Sequence, residues 1–172
     1  AQQAIAAMIA TSIRDELGKK EYAEQGFLGV SNEPESVSKT LEYAYNDFCI
    51  AEMIDAYHNR DQVVTYHKEL GHYRNRSMNF INLYDPSTKF MRARRSGSWF
   101  SPFDPAEVNF NYTEANSWQY SLYTPHAVGV HTELLGGKDS LEAWLDRLFT
   151  TPSDLSGRHQ VDITGLIGQY AH

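Results

Sequence analysis

Residues 36–57, SVSKTLEYAYNDFCIAEMIDAY, carry the longest uninterrupted helical pattern in the chain. Apolar side chains recur at intervals of three or four residues from Val37 to Ile54, as they do on the buried face of an amphipathic helix. Pro34 and Glu35 stand directly before the pattern and are typical of a helix start. The sequence therefore predicts one long helix over this stretch.

The same periodicity recurs on both sides of this helix. It predicts further helices over residues 2–17, 61–78, 115–122, 140–149 and 164–171. Asp139 is the expected N-cap of the helix at 140, with Glu142 completing a capping box. The run LLGGKD before it indicates the end of a preceding helix.

Between residues 79 and 108 the helical periodicity is lost. This stretch holds three prolines, several turn residues and one short β-like run at 89–94. A long irregular segment between helices is uncommon and is often functional. We therefore expect an all-α fold in which helix pairs are joined by long loops, with at most short β-hairpins. Such pairs suggest part of an α/α toroid whose loops gather on one face.

The composition and net charge of the chain exclude several classes of partner. The 172 residues are 41% apolar and 22% charged, which is ordinary for one soluble domain, and the net charge is −7. The densest basic cluster, residues 92–95, is only four residues long, so we expect neither nucleic acid nor an anionic membrane as a partner. No run of eighteen apolar residues is present. The single cysteine, Cys49, cannot form an internal disulfide.

The histidine spacing and the sequence motifs do not indicate a zinc site or a catalytic nucleophile. His67 and His72 are five residues apart, as are His126 and His131, whereas two ligands on one helix face need a spacing of three or four. No G-x-S-x-G motif and no phosphate-binding loop is present in the sequence. Zinc and nucleophilic catalysis are therefore disfavoured.

A carboxylate in residues 111–120, NYTEANSWQY, is the stronger candidate. Glycoside hydrolysis needs one protonated carboxyl group for the leaving oxygen and a second carboxylate as base or nucleophile. Apolar and aromatic surroundings favour the protonated form, and Tyr112, Trp118 and Tyr120 surround Glu114 in sequence. On a helix, Trp118 would share its face. Composition alone favours a plainer alternative, in which this carboxylate stabilises a helix N-terminus.

Three long segments resemble glycoside hydrolase family 92. They are ESVSKTLEYAYNDFCIAEM at 35–53, FSPFDPAEVNFNYTEANSWQYSLYTPH at 100–126, and ELLGGKDSLEAWLDRLFTTPSDLSGRHQVDITGLIGQYAH at 133–172. The resemblance implies a calcium-dependent, inverting exo-α-mannosidase of bacterial glycan degradation, located in the periplasm or outside the cell. It also implies an (α/α)6 catalytic barrel accompanied by a β-sandwich domain.

The resemblance assigns roles to particular residues. Glu114 stands where the family has its general acid, and Glu rather than Gln there implies an ordinary O-linked mannoside as substrate. Tyr112, Trp118 and Gln119 are expected to shape the substrate pocket beside it. Gln169 is expected near the calcium ion, whose other ligands would lie outside this chain.

The sequence also departs from the family pattern. In PHAVGVHTELLGG, Ala127 replaces an aspartate, and His131 and Thr132 replace apolar residues. RRSGSW is one residue shorter than the usual motif. These changes affect the loop that follows the candidate acid.

The family is several times longer than this chain, and its proposed general base lies elsewhere. Within this chain the acids that could take the place of that base are Asp104, Glu107 and Asp162. We therefore expect residues 1–172 to be one incomplete portion of a catalytic domain, inactive alone and prone to self-association. A non-catalytic carbohydrate-binding or interaction fragment is the alternative.

Overall fold

The computed structural model describes residues 1–61, 65–152 and 154–158. Within them the fold is mostly helical, with very short strands. The α-helices are α1 Gln2–Ser12, α2 Lys19–Gln25, α3 Ser36–Asp61, α4 His67–Arg76, α5 Ser117–Tyr120, α6 Val128–Leu135 and α7 Lys138–Thr150, with a 3-10 helix at Asn79–Leu83. The strands are β1 Tyr84–Asp85, β2 Phe90–Met91, β3 Arg94–Arg95, β4 Ser98–Trp99, β5 Glu107–Val108 and β6 Ser156–Gly157.

Helix α3 connects two hydrophobic cores. Its N-terminal half contributes Val37 and Leu41 to a large core shared with the strands and with α5, α6 and α7. Its C-terminal half contributes Ile50 and Ile54 to a smaller core with α1 and α4. At 1.5 Å per residue its 26 residues extend about 39 Å, long enough to reach both. The prediction of this helix is confirmed, with one extra turn at its C-terminal end.

A buried ion pair lies between the two cores. Asp47 on α3 is 2% exposed, and its Oδ2 accepts hydrogen bonds from Arg76 Nε and from the Tyr22 hydroxyl, both at 2.9 Å. Burial raises the pKa of Asp47 to about 6, although Arg76 and Tyr22 act to lower it. The pair therefore joins α2, α3 and α4. It borders a cavity of about 540 Å³ between α1, α2 and α3.

Two of the predicted helices are shorter than expected. The first ends at Ser12, so Ile13, expected on its buried face, is 62% exposed. The helix predicted at 61–78 begins only at His67, because Tyr66 adopts a left-handed conformation with φ of 70°. Helix α2, after Gly18 with φ of 70°, was not predicted. The helix predicted at 164–171 lies outside the described residues.

Two helices in the C-terminal half of the chain also differ from prediction. Helix α5 spans only Ser117–Tyr120. Helix α7 begins at Lys138 after Gly137, so Asp139 occupies the first turn and is not the N-cap. The stop signal before it is confirmed: Gly136 ends α6 with φ of 108°, a conformation that glycine adopts at little cost.

Each strand pairs with one other. Strands β1 and β2 pair antiparallel, as do β3 and β4, so the β-like run at 89–94 lies in two small hairpins. The third pair, β5 with β6, is parallel and joins residues about 50 apart in the chain, so the expectation of hairpins alone is wrong. No helix in the described part of the chain is both long and apolar enough to cross a membrane.

We predict that Arg76→Met strongly destabilises the chain. The substitution leaves the Asp47 carboxylate buried without its counter-charge, and the loss of one partner of a buried pair costs about 3–5 kcal/mol of unfolding free energy. Urea denaturation of the variant and the parent chain measures the difference.

Arg74→Met is the matched control, because Arg74 lies on the same helix as Arg76 and pairs with Asp55 at 3.2 Å, but both side chains of that pair are well exposed. Its loss should stay below about 1 kcal/mol. Equal losses in the two variants would contradict a special role for the buried pair.

Candidate functional site

Glu114 stands out from its surroundings in exposure and in backbone conformation. Among residues 111–120 it is the only exposed residue, and Ala115 to Trp118 directly after it are buried. Its φ is 48°, in the left-handed region that residues other than glycine, asparagine and aspartate seldom adopt. It precedes α5 and its cap, so the expectation that a helix places Trp118 on the same face is wrong.

The N-terminal side of this segment is held by the first turn of α3. The backbone N–H of Val37 donates to the carbonyl of Asn111 at 3.0 Å, and that of Glu35 donates to Phe110 at 2.6 Å. In return, the N–H of Thr113 donates to the Ser38 hydroxyl at 2.9 Å. The first N–H groups of a helix lack partners within it, and here the segment supplies them.

The C-terminal side is held by a capping box. The Asn116 side chain accepts from the Gln119 N–H at 3.2 Å, and the Gln119 side chain accepts from the Asn116 N–H at 3.2 Å. Asn116 is fully buried and its Nδ2 also donates to Ala106. The spacing Asn-x-x-Gln is readable in the sequence as a helix start, and the sequence-based prediction missed it.

The backbone of Met91 in β2 anchors the same segment through hydrogen bonds. The hydroxyls of Tyr112 and Ser117 both donate to the Met91 carbonyl at 2.8 Å. The Met91 N–H donates to the Ser121 hydroxyl at 2.9 Å. Three side chains of residues 112–121 therefore bind one residue of a two-residue strand.

Two of the three predicted substrate-binding residues lie in the core. Tyr112 is 4% exposed, and burial raises its pKa far above the ordinary value for tyrosine. Trp118 is also 4% exposed and packs edge-on to Phe90, with ring centroids 4.7 Å apart. The structure brings both residues, and Gln119 in the capping box, into the segment around Glu114. Their contact with substrate stays a prediction.

The other candidate acids have local partners. Asp104 accepts hydrogen bonds from the Ala106 N–H and the Ser156 hydroxyl, and Glu107 accepts from the Asn109 side chain at 2.8 Å. Asp162 and the predicted calcium ligand Gln169 lie outside the described residues. Among residues that are described, no group of three or more His, Cys, Asp and Glu side chains could hold a metal ion.

The departures from the family pattern at Ala127, His131 and Thr132 lie at the N-cap and within helix α6, so the expectation that they affect a loop is wrong. Ala127 is buried and directly precedes α6. His131 is 4% exposed, with its Nδ1 2.8 Å from the Thr124 hydroxyl, and burial lowers its pKa to about 4. This imidazole is therefore a neutral core residue at pH 7.

The whole chain, residues 1–172, matches the model of the glycosyl hydrolase family 92 catalytic domain. The described fold also superposes on solved structures. A family GH92 α-mannosidase from Bacteroides thetaiotaomicron is 36% identical over 88% of this chain, with a TM-score of 0.78. In complex with mannoimidazole, that enzyme's structure matches 91% of the chain with the same score. A family GH92 inverting mannosidase from strain VPI-5482 of that species is 31% identical over 88%, with a TM-score of 0.76.

A protein of Arthroderma benhamiae described as an uncharacterized secreted glycosidase is 27% identical over 146 residues. That match covers 71% of this chain and 18% of the relative, and the solved structures are covered to 19–21%. The chain thus spans about a fifth of the length of these relatives. Its fold is that of a glycoside hydrolase catalytic domain. The chain belongs to glycosyl hydrolase family 92.

We predict that His131 makes the chain less stable in acid. Its folded pKa of about 4 lies below the ordinary 6.5, so between these pH values the unfolded state binds more protons. Stability from this group is therefore complete above pH 6.5 and is lost as the pH falls toward 4, by about 3 kcal/mol.

His131→Leu removes this titration. Urea denaturation at pH 7, 6, 5 and 4.5 should show a smaller loss of stability in the variant than in the parent. His67→Gln, at an exposed position, is the control for removing an imidazole. Parallel curves for His131→Leu and the parent chain would show that His131 does not carry the effect.

Proposed function

We propose that the protein containing this chain is an exo-acting α-mannosidase that releases terminal mannose from glycans, favouring α-1,2 links, with inversion and with calcium. The observation that supports this is the exposure of Glu114. It is the one exposed residue in a buried or half-buried segment, residues 111–120, which hydrogen bonds to α3, to β2 and within a capping box hold in place. Membership of the family adds the reaction class.

In the proposed reaction Glu114 donates its proton to the glycosidic oxygen as the bond from that oxygen to the anomeric carbon breaks. A water molecule attacks the anomeric carbon from the opposite face, and a general base accepts the proton of that water. Because Asp104 and Glu107 are engaged in local hydrogen bonds, we assign the base to a part of the protein outside this chain.

The rest of the protein would also enclose Glu114. We propose that the remaining helix pairs of an (α/α)6 toroid pack against this chain and cover the segment. Exposed apolar side chains support this: Phe110 is 66% exposed, Val128 57% and Phe149 72%. The chain alone would then lack turnover and would associate with itself through these faces. The secreted relative supports a location outside the cytoplasm, in the periplasm or beyond the cell.

Calcium enters the proposal through the family resemblance. The described residues offer no cluster that could hold the ion, so its ligands would lie elsewhere in the protein, with Gln169 as the candidate from this chain. When bound, the ion would help to hold the terminal mannose. No step of the reaction at Glu114 depends on its position.

We predict that Glu114→Gln in the full-length protein removes proton donation. For α-1,2-mannobiose, whose leaving group is a poor one, kcat should fall roughly 10²–10⁴-fold. For an aryl mannoside with an acidic phenol as leaving group the loss should be much smaller, because little protonation is needed. Initial rates of mannose and phenol release measure both effects.

Glu107→Gln is the matched control, since it removes a nearby carboxylate that contacts Asn109 and should leave both rates unchanged. Unaltered hydrolysis of mannobiose by Glu114→Gln would refute the assignment. Binding of mannobiose without any hydrolysis by the full-length protein would instead favour the carbohydrate-binding alternative.

We also predict that chelation with EGTA abolishes mannose release by the full-length protein and that added calcium restores it. EGTA already saturated with calcium is the control for non-specific inhibition. Full activity after dialysis against EGTA would show that calcium is dispensable. NMR of the first-formed product tests inversion, for which β-mannose is expected.

A further inference from the structure

The residue directly before Glu114 depends on a side chain 75 positions earlier in the chain. Ser38 is fully buried in the first turn of α3, and its hydroxyl accepts the Thr113 N–H at 2.9 Å. The Tyr120 hydroxyl lies beside the side chains of Ser38 and Thr113, which act against the burial that raises the pKa of Tyr120. Serine and tyrosine hydroxyls from two helices therefore meet at the peptide bond that leads into Glu114.

This contact matters because the backbone at Glu114 is in a disfavoured conformation. A left-handed residue persists only where its neighbours on both sides are held. On the C-terminal side Ala115 and Asn116 are fully buried. On the N-terminal side the Thr113 N–H is held by Ser38. Without that acceptor, Glu114 can relax to an extended conformation, and its carboxyl group would then point elsewhere.

We propose that Ser38 is a positioning residue for the Glu114 carboxyl group, acting through the Thr113 N–H with support from Tyr120. The inference rests on the proposed role of Glu114 as proton donor. Ser38 does not touch the substrate in this scheme. It fixes the direction from which the proton arrives.

The test compares Ser38→Ala with Thr40→Val in the full-length protein. Thr40 is an equally buried hydroxyl residue on the same helix, and it accepts the N–H of Leu28 at 2.9 Å in a different loop. Both substitutions remove one hydroxyl that holds a loop amide. Only Ser38→Ala removes a hydrogen bond next to Glu114. A loss of stability alone would therefore affect both variants alike, whereas a loss of positioning would affect only Ser38→Ala.

For Ser38→Ala we expect kcat on α-1,2-mannobiose to fall roughly tenfold to a hundredfold, the cost of a small misplacement of a catalytic group. KM should be unchanged, and the activated aryl mannoside should lose much less. Thr40→Val should lower the thermal midpoint without this dependence on the leaving group. Equal losses on the two substrates, or wild-type turnover well below the thermal midpoint, would overturn the proposal.

Two further variants keep the result interpretable. Ser38→Ala added to Glu114→Gln should cause no further loss on mannobiose, because a misdirected donor and an absent donor are equivalent; an additive loss would contradict positioning. If Ser38→Ala does not fold, Tyr120→Phe replaces it and must show the same dependence on the leaving group. Unchanged turnover in Glu114→Gln refutes the role of Glu114 as proton donor. Reduced turnover in Glu114→Gln with unchanged turnover in Ser38→Ala refutes only the positioning role of Ser38.

Discussion

The contact between the first turn of α3 and residues 110–113 is the constraint on which the candidate site depends. The helix needs acceptors for its first N–H groups, and the carbonyls of Phe110 and Asn111 supply them. The segment needs an acceptor for the Thr113 N–H, and Ser38 supplies it. One set of reciprocal hydrogen bonds thus completes the helix end and aligns the backbone that carries the acid.

The length of α3 extends this constraint to the rest of the chain. The same helix enters the smaller core through Ile50 and Ile54, and Asp47 between the two cores binds Arg76 of α4 and Tyr22 of α2. The smaller core and the turn that contacts the segment therefore belong to one continuous helix. The buried ion pair fixes the part of α3 that lies between them.

The sequence predicted features that depend on local pattern. Periodicity located the start of α3 and placed its end one turn too early, and Gly136 marked the end of α6. Features that depend on distant contacts were missed. Nothing near Tyr66 signals its left-handed backbone, and Glu114 was placed on a helix because the capping role of Asn116 was not recognised. The family resemblance led to the proposal of Glu114 as the acid, whereas the hydrogen bond from Thr113 to Ser38 required the structure.

The anchoring of the segment to Met91 bears on how this site can vary among sequences. Tyr112 and Ser117 donate to the backbone carbonyl of Met91 and Ser121 accepts its N–H, so none of the three binds its side chain. Any apolar residue that fits the buried volume there could serve equally well. Substitution of Tyr112, Ser117 or Ser121 would remove one of these hydrogen bonds. We therefore expect residue 91 to vary more among related sequences than these three residues.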